Sequence, residues 1–519
     1  TTLTVSSSTT GGTATVGTVA DVDGLTSVTL TADAANATIG QLGTDATANN
    51  AELLTAVNVS ATGTGATATM GAIFADSSVD SDVDLAMTIT ATVGVGADID
   101  IGAIDNTNGS ITGVYTSDST DDIDQAALTA VAMTLTTAGS GDVDFAALNA
   151  TGVVSLTSTG SGGIVVTDAN VDGASASLTV DASAMSGTIS VTGTNTSTTT
   201  TMTGGSGADT LIGGSGVDTL TGGAGIDTLT GNAGNDIITG DAGADIINGG
   251  AGNDTINGGA GADIITAGGG FDIIDAGTGD DTIIMGANTS YSDTIAGGEG
   301  NDTITATISA GTAQGLGTMT DVEVATFSFI QTAGSYNYTG DTYTRLNILN
   351  GNTAANDVIV NNLADGITVD IEDGGDNFDD ITLDYVGTGT TATTTAIINI
   401  GAAATVEVDD TVITDAQTVT INAVGGSVTT MGILTLDATD TDIVTVSSAV
   451  AASDILQTGA FGADNATSLT LQTSKDNGLL SLGIGSSVMA TADLLETLTI
   501  SANGNDSSDI TITALGATA

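Results

Sequence analysis

The chain has no cysteine, proline, histidine or tryptophan, and only two basic residues, Arg345 and Lys475, in 519 positions. Each absence removes a class of protein. Without cysteine there is neither a disulfide framework nor a thiolate metal site. Without histidine, and with a single lysine and a single arginine, triad and imidazole acid–base chemistry have no residues to run on. A carboxylate pair stays open for glycoside hydrolysis, but aromatic platforms for a sugar are scarce, at 3% of the chain. The sequence therefore reads as non-enzymatic. Nucleic acid is excluded as a partner, because phosphate binding needs clustered lysine and arginine. Electrostatic docking to anionic lipid fails for the same reason, and no apolar run is long enough for a membrane-spanning helix.

What is present is acid. Sixty-two Asp and Glu residues give a formal net charge of −60. Carboxylates at this density repel one another, so a compact state calls for counter-cations, and calcium-bearing extracellular surroundings would supply them. Yet 40% of the residues are apolar, chiefly Ala, Val, Ile and Leu, which argues for folding around thin cores rather than for disorder. The chain begins at Thr1, without a charged-then-apolar leader, so it reads as processed or as a segment of a longer polypeptide.

The strongest pattern begins at Gly204. Nine contiguous nonapeptides fill residues 204–284, among them GGSGADTLI and GGAGNDTIN, and a tenth, GGEGNDTIT, occupies 297–305. Position 4 is always Gly, position 6 always Asp and position 8 always Leu or Ile. The glycine-rich first six residues make a turn and the last three a short strand whose position-8 side chain points inward. With two repeats per coil, Asp209, Asp227, Asp245, Asp263 and Asp281 stack along one edge; Asp218, Asp236, Asp254 and Asp272 stack along the other, and Asp302 belongs to the tenth unit. Adjacent coils lie about 4.8 Å apart, too close for bare carboxylates. Oxygen-only ligands, carboxylates plus turn carbonyls, select a hard ion, and a flexible cage of them suits Ca²⁺ better than Mg²⁺.

This pattern resembles the RTX family of calcium-binding nonapeptide proteins, G-G-x-G-x-D-x-U-x with U a large aliphatic. The resemblance implies a right-handed parallel β-roll, calcium as cofactor, and export by a type I secretion system with folding outside the cell. Departures are Asn232 and Asp241 at position 2, which tolerate left-handed angles, and Ala267 and Ala276 at position 1. Those alanines and the phase break after Ile284 predict weaker or missing ions at that end, with a loop over 285–296 interrupting the stack.

The energetics agree with metal-dependent folding. Ordering nine residues costs about 9–18 kcal/mol of backbone entropy. One buried aliphatic returns about 2–3 kcal/mol and nine backbone hydrogen bonds about 5–13 kcal/mol, so bound ions decide the balance.

On both sides of the repeats, short Val/Ile/Thr alternations such as SVTLTAD and GITVDIED are bounded by turn residues, the mark of strands. The predicted fold is all-β: a parallel β-roll over 204–305, flanked over 1–203 and 306–519 by β-solenoid-like or β-sandwich segments. Short helices are expected only at 120–133 and 489–498. Asp-x-Asp pairs at Asp21/Asp23, Asp82/Asp84, Asp98/Asp100, Asp122/Asp124, Asp142/Asp144 and Asp440/Asp442 are secondary cation candidates, although a solvated acidic face is the commoner reason for such pairs. GGDNFDDIT at 374–382 is a degenerate repeat that would place Asp379 at the metal position.

MTDVEVATF at 319–327, LLETLTI at 494–500 and the Ala/Thr/Gly/Val/Asp composition are similar to RTX-bearing surface-layer proteins of Gram-negative bacteria. That resemblance implies a secreted, cell-surface structural subunit that assembles with itself as a lattice or filament; a cell-surface glycolipid is a further candidate partner, through a region the sequence does not identify. The alternative is the stalk or matrix module of a secreted RTX adhesin.

Overall fold

Alternation decides the fold. In Ser27–Ala32 every second residue, Val28, Leu30 and Ala32, is fully buried and the residues between are only partly covered, the period of a strand with one face on a core. The computed structural model describes residues 1–10, 12–19, 25–33, 35–42, 54–74, 86–118, 122–173, 176–194, 199–286, 293–308, 318–329, 334–337 and 344–350, and beyond these chiefly the strands up to Ile512. They form two compact units, Thr1–Gly268 and Gly269–Ala519. Among the described residues there is no helix.

In the first unit, Thr2–Ser7 pairs with Ser27–Ala32, that strand with Ala56–Ala61, and that one with Ala86–Val93. All these pairs are parallel, so each strand is one rung of a coil. Between 104 and 193 the coils enclose large side chains, including Tyr115, Leu135, Phe145, Leu148 and Leu156. The Tyr115 and Phe145 rings meet edge to face at 5.0 Å and 83°, a favoured aromatic arrangement. Further along, the step from rung to rung shortens to 18 residues, with Leu211 beside Leu229.

The helix expected at 120–133 is instead two strands, Ile123–Gln125 and Leu128–Gly139. Its alanines favour a helix locally, but the second strand has parallel partners on both sides, Ile104–Ser117 and Val153–Gly160. Pairing on two edges outweighs that local preference. Of the other expected helix, residues 489–496 lie outside the described residues, and Thr497–Ala502 is a strand.

The second unit is also built of parallel coils. Thr303–Ile308, Val324–Phe329, Arg345–Asn350 and Thr368–Asp373 form one run. Gly334–Asn337, Asn356–Leu363, Phe378–Tyr385 and Val406–Thr414 form another. A β-sandwich would show antiparallel pairs; the flanks are parallel β-solenoid. The expected interruption at 285–296 also does not occur. Ile273–Thr278 pairs with Thr294–Glu299 in a 21-residue step, so the pairing of coils continues, while residues 287–292 of that stretch lie outside the described residues.

Candidate metal centre

The repeat makes a thin coil. Its position-8 side chains, Leu211, Leu220, Leu229, Ile238, Ile247, Ile256 and Ile265 in the first unit and Ile274, Ile283 and Ile304 in the second, are at most 1% exposed. They are a meagre core at one aliphatic per nine residues. From Gly223 onward position 2 holds a left-handed backbone: Gly223 and Gly250 both have φ 108°. Asn232 and Asp241 adopt φ 76° and 71° at that position, and Asn232 Nδ2 donates to the Gly213 carbonyl at 2.6 Å.

The position-6 side chains are the unusual feature. Asp209, Asp218, Asp227, Asp236, Asp245, Asp254 and Asp263 in the first unit, and Asp272, Asp281 and Asp302 in the second, are all at most 2% exposed. Buried carboxylates are rare unless they are paired. Here each is tied to the neighbouring coil by the same bond. The backbone N–H of Asp209 donates to Asp227 Oδ1 at 2.7 Å, that of Asp218 to Asp236 Oδ1 at 2.8 Å, and that of Asp227 to Asp245 Oδ1 at 2.8 Å. Asp236 bonds Asp254 in the same way at 2.9 Å and Asp245 bonds Asp263 at 2.7 Å.

The second oxygen distinguishes the repeats from ordinary hydrogen-bonded turns. At the start of the stack Asp209 Oδ2 and Asp218 Oδ2 accept from Gly205 and Gly214 N–H, both at 2.8 Å. At Asp227, Asp236 and Asp245 that bond is absent, and their Oδ2 atoms are buried with no hydrogen-bond partner. A backbone carbonyl lies close by. A Cβ added at Gly249 would sit 2.6 Å from Asp254 Oδ2 and 2.5 Å from the Ala267 carbonyl oxygen, so both oxygens crowd the bare face of one glycine. Position 1 thus opens a small oxygen-lined cradle.

Burial has the expected electrostatic effect. Loss of solvation pushes Asp218 and Asp227 up to about 6, with neighbouring aspartates adding to it. Asp209, Asp236, Asp245 and Asp263 are raised for the same first reason. At neutral pH the metal-free stack would hold carboxylates out of water with backbone N–H bonds but no opposing charge, an arrangement that costs several kcal/mol per ion. A divalent cation removes that cost. The donors are all oxygen and include no nitrogen or sulfur, which fits Ca²⁺. Among the described residues no three acidic, histidine or cysteine side chains converge as a metal cluster. An ion here would therefore rest on stacked aspartates together with turn carbonyls.

Comparison with protein families agrees with this chemistry. The model of the RTX calcium-binding nonapeptide repeat matches four times, over residues 195–229, 221–256, 257–287 and 288–307. Residues 195–307 are RTX calcium-binding repeats. No curated protein and no solved structure matches the chain. Calcium is the ion these RTX repeats take; the buried aspartates would supply charge to it and the turn carbonyls further oxygen donors.

Two acids of the RTX stack were not legible as such in the sequence. Asp293 is 1% exposed and its Oδ1 accepts the Asp272 N–H at 3.0 Å. Glu323 Oε2 accepts the Asp302 N–H at 2.7 Å. Neither follows a Gly at position 4: Tyr291 and Asp321 stand there. The surviving signal is an acid two residues before an inward Ile295 or Ala325.

The secondary candidates differ in kind. Asp100, Asp124 and Asp144 lie side by side on successive coils, Asp100 and Asp124 exposed and Asp144 partly covered. Burial, then the charge of neighbouring aspartates, raises Asp124 and Asp144. Asp142 Oδ1 accepts the Gly163 N–H at 2.5 Å. The pairs Asp21/Asp23, Asp82/Asp84 and Asp440/Asp442 lie outside the described residues. Asp379 falls in the strand Phe378–Tyr385, with its side chain outside the described residues.

Proposed function

We propose that this chain is a structural subunit of an extracellular bacterial surface layer or related lattice, folded and assembled with calcium. The observation that carries the reading is the row of buried carboxylates with unpartnered oxygens at Asp227, Asp236 and Asp245, in a chain of charge −60 with two basic residues. Such a chain is a calcium-dependent scaffold, and without histidine or cysteine it lacks the usual residues of triad chemistry. RTX repeats typify type I secreted proteins, which supports export. A trypsin-like protease finds two cleavage residues in the whole chain, an advantage for an exposed coat. Outward aliphatics on the repeats, such as Ile226 at 63% and Ile237 at 50% exposure, support self-association, since exposed apolar surface commonly marks contact sites.

Negative-stain microscopy of the purified chain in millimolar calcium, and again after chelation, tests this. Ordered sheets or filaments that dissolve with EGTA are expected. Well-dispersed rods in calcium would overturn self-assembly and favour the adhesin stalk.

A further inference from the structure

The column of acids in the second unit continues past the last matched repeat residue, 307. Thr303 pairs with Val324 and Ile304 with Ala325, so the preceding residues, Asp302 and Glu323, occupy the same place on successive coils. The hydrogen bond is carried over as well. Asp281 N–H donates to Asp302 Oδ1 at 2.9 Å, and Asp302 N–H donates to Glu323 Oε2 at 2.7 Å. Asp302 is fully buried, and its Oδ2 has no hydrogen-bond partner.

A third oxygen arrives from the same coil as Glu323. A Cβ at Gly297 would clash with the Asp321 carbonyl oxygen and sit 2.7 Å from Asp302 Oδ2. The repeats' cradle is therefore rebuilt here. Its carbonyl comes from Asp321, a non-glycine residue in the left-handed region at φ 55°. Such a backbone angle is uncommon outside glycine and is seen most with Asn and Asp.

We propose that Asp302, Glu323 and the Asp321 carbonyl form a calcium site outside the nonapeptides, which fastens the first non-repeat coil to the last repeat. The proposal rests on the calcium reading of the repeats. Two carboxylates and a carbonyl are hard oxygen donors, and the extra methylene of Glu323 lengthens its reach in a coil whose step is 21 residues. The column ends one coil later. There Thr344 and Arg345 donate their backbone N–H groups to the Glu323 carbonyl at 3.1 and 3.2 Å, and Thr344 brings no acid. The chain's sole arginine begins at that point: Arg345 Nε pairs with Asp370 Oδ2 at 3.0 Å, so a side-chain cation serves the coils beyond.

The test is calcium stoichiometry of the full chain by native mass spectrometry, with circular dichroism as the check on folding. Glu323→Gln keeps an oxygen that can accept the Asp302 N–H but removes the charge. It is expected to bind one ion fewer than the parent, with an unchanged spectrum in calcium. Glu323→Asp, which restores the charge on a shorter arm, is expected to recover the full count with affinity for that ion weaker by about tenfold or more. An unchanged ion count in Glu323→Gln overturns the proposal. So does loss of folding in that variant with the full ion count retained by its folded fraction. A parent chain that binds no calcium would instead sink the reading of the repeats themselves.

Discussion

Coils 122–193 and coils 204–268 of the first unit share one backbone plan and are stabilised by different means. In the former, Phe145, Leu148, Leu156 and Val166 fill the interior while Asp122, Asp124 and Asp142 face water. In the latter, each nonapeptide contributes one large aliphatic, and its aspartate is buried. A parallel stack can thus be held by apolar burial, which needs longer coils to enclose large side chains. It can also be held by cations between acids, which permits an 18-residue coil. The first kind is expected to be indifferent to metal and the second to depend on it.

The largest expected effect comes from chelation. Peptide-resolved hydrogen exchange in EGTA should show 204–268 losing nearly all protection while 122–193 keeps its own; equal loss in both would erase the distinction. Next in size is Leu156→Ala, which should cost about 2–5 kcal/mol by cavity formation, by the same amount with and without calcium in denaturant melts.

Asp245→Asn removes a charge from the cradle but keeps an acceptor for the Asp227 N–H. It should lower stability by about 1–3 kcal/mol in calcium, and far less after chelation. The pH response should have opposite signs in the two states. The folded values of Asp218 and Asp227 are raised to about 6 by burial, above the ordinary carboxylate value near 3.9. Their protonated forms therefore favour the metal-free repeats at low pH, and that contribution is lost as pH rises through about 6. Calcium affinity should instead fall as pH drops through the same range, because protons compete for the ligands. Thermal melts between pH 4.5 and 8, with calcium and with EGTA, check both slopes. The smallest effect belongs to Asp124→Asn, an exposed position, expected to change stability by less than about 0.5 kcal/mol.

Much of this contrast was legible in the sequence because the repeat leaves little freedom. A Gly, an Asp and an aliphatic at fixed places specify a turn, an edge and an inward side chain, and even Asn232 and Asp241 take the left-handed angles that their chemistry allows. The rest depends on pairing that local patterns do not reveal. Ile123–Gln125 and Leu128–Gly139 are strands because of neighbours on adjacent coils. Asp293 and Glu323 join the acid stack without the glycines that mark it elsewhere. Three residues inserted before Asp293 shift the sequence phase, yet the strands on either side keep their pairing in a 21-residue step.

The RTX aspartates tolerate burial, on this reading, because calcium lies among them. Native mass spectrometry of the intact chain, titrated with calcium after exhaustive chelation, addresses it most directly. Several calcium ions per chain are expected, taken up together with the return of β-structure and reduced in number by Asp245→Asn. A chain that stays folded and metal-free in millimolar calcium would contradict it.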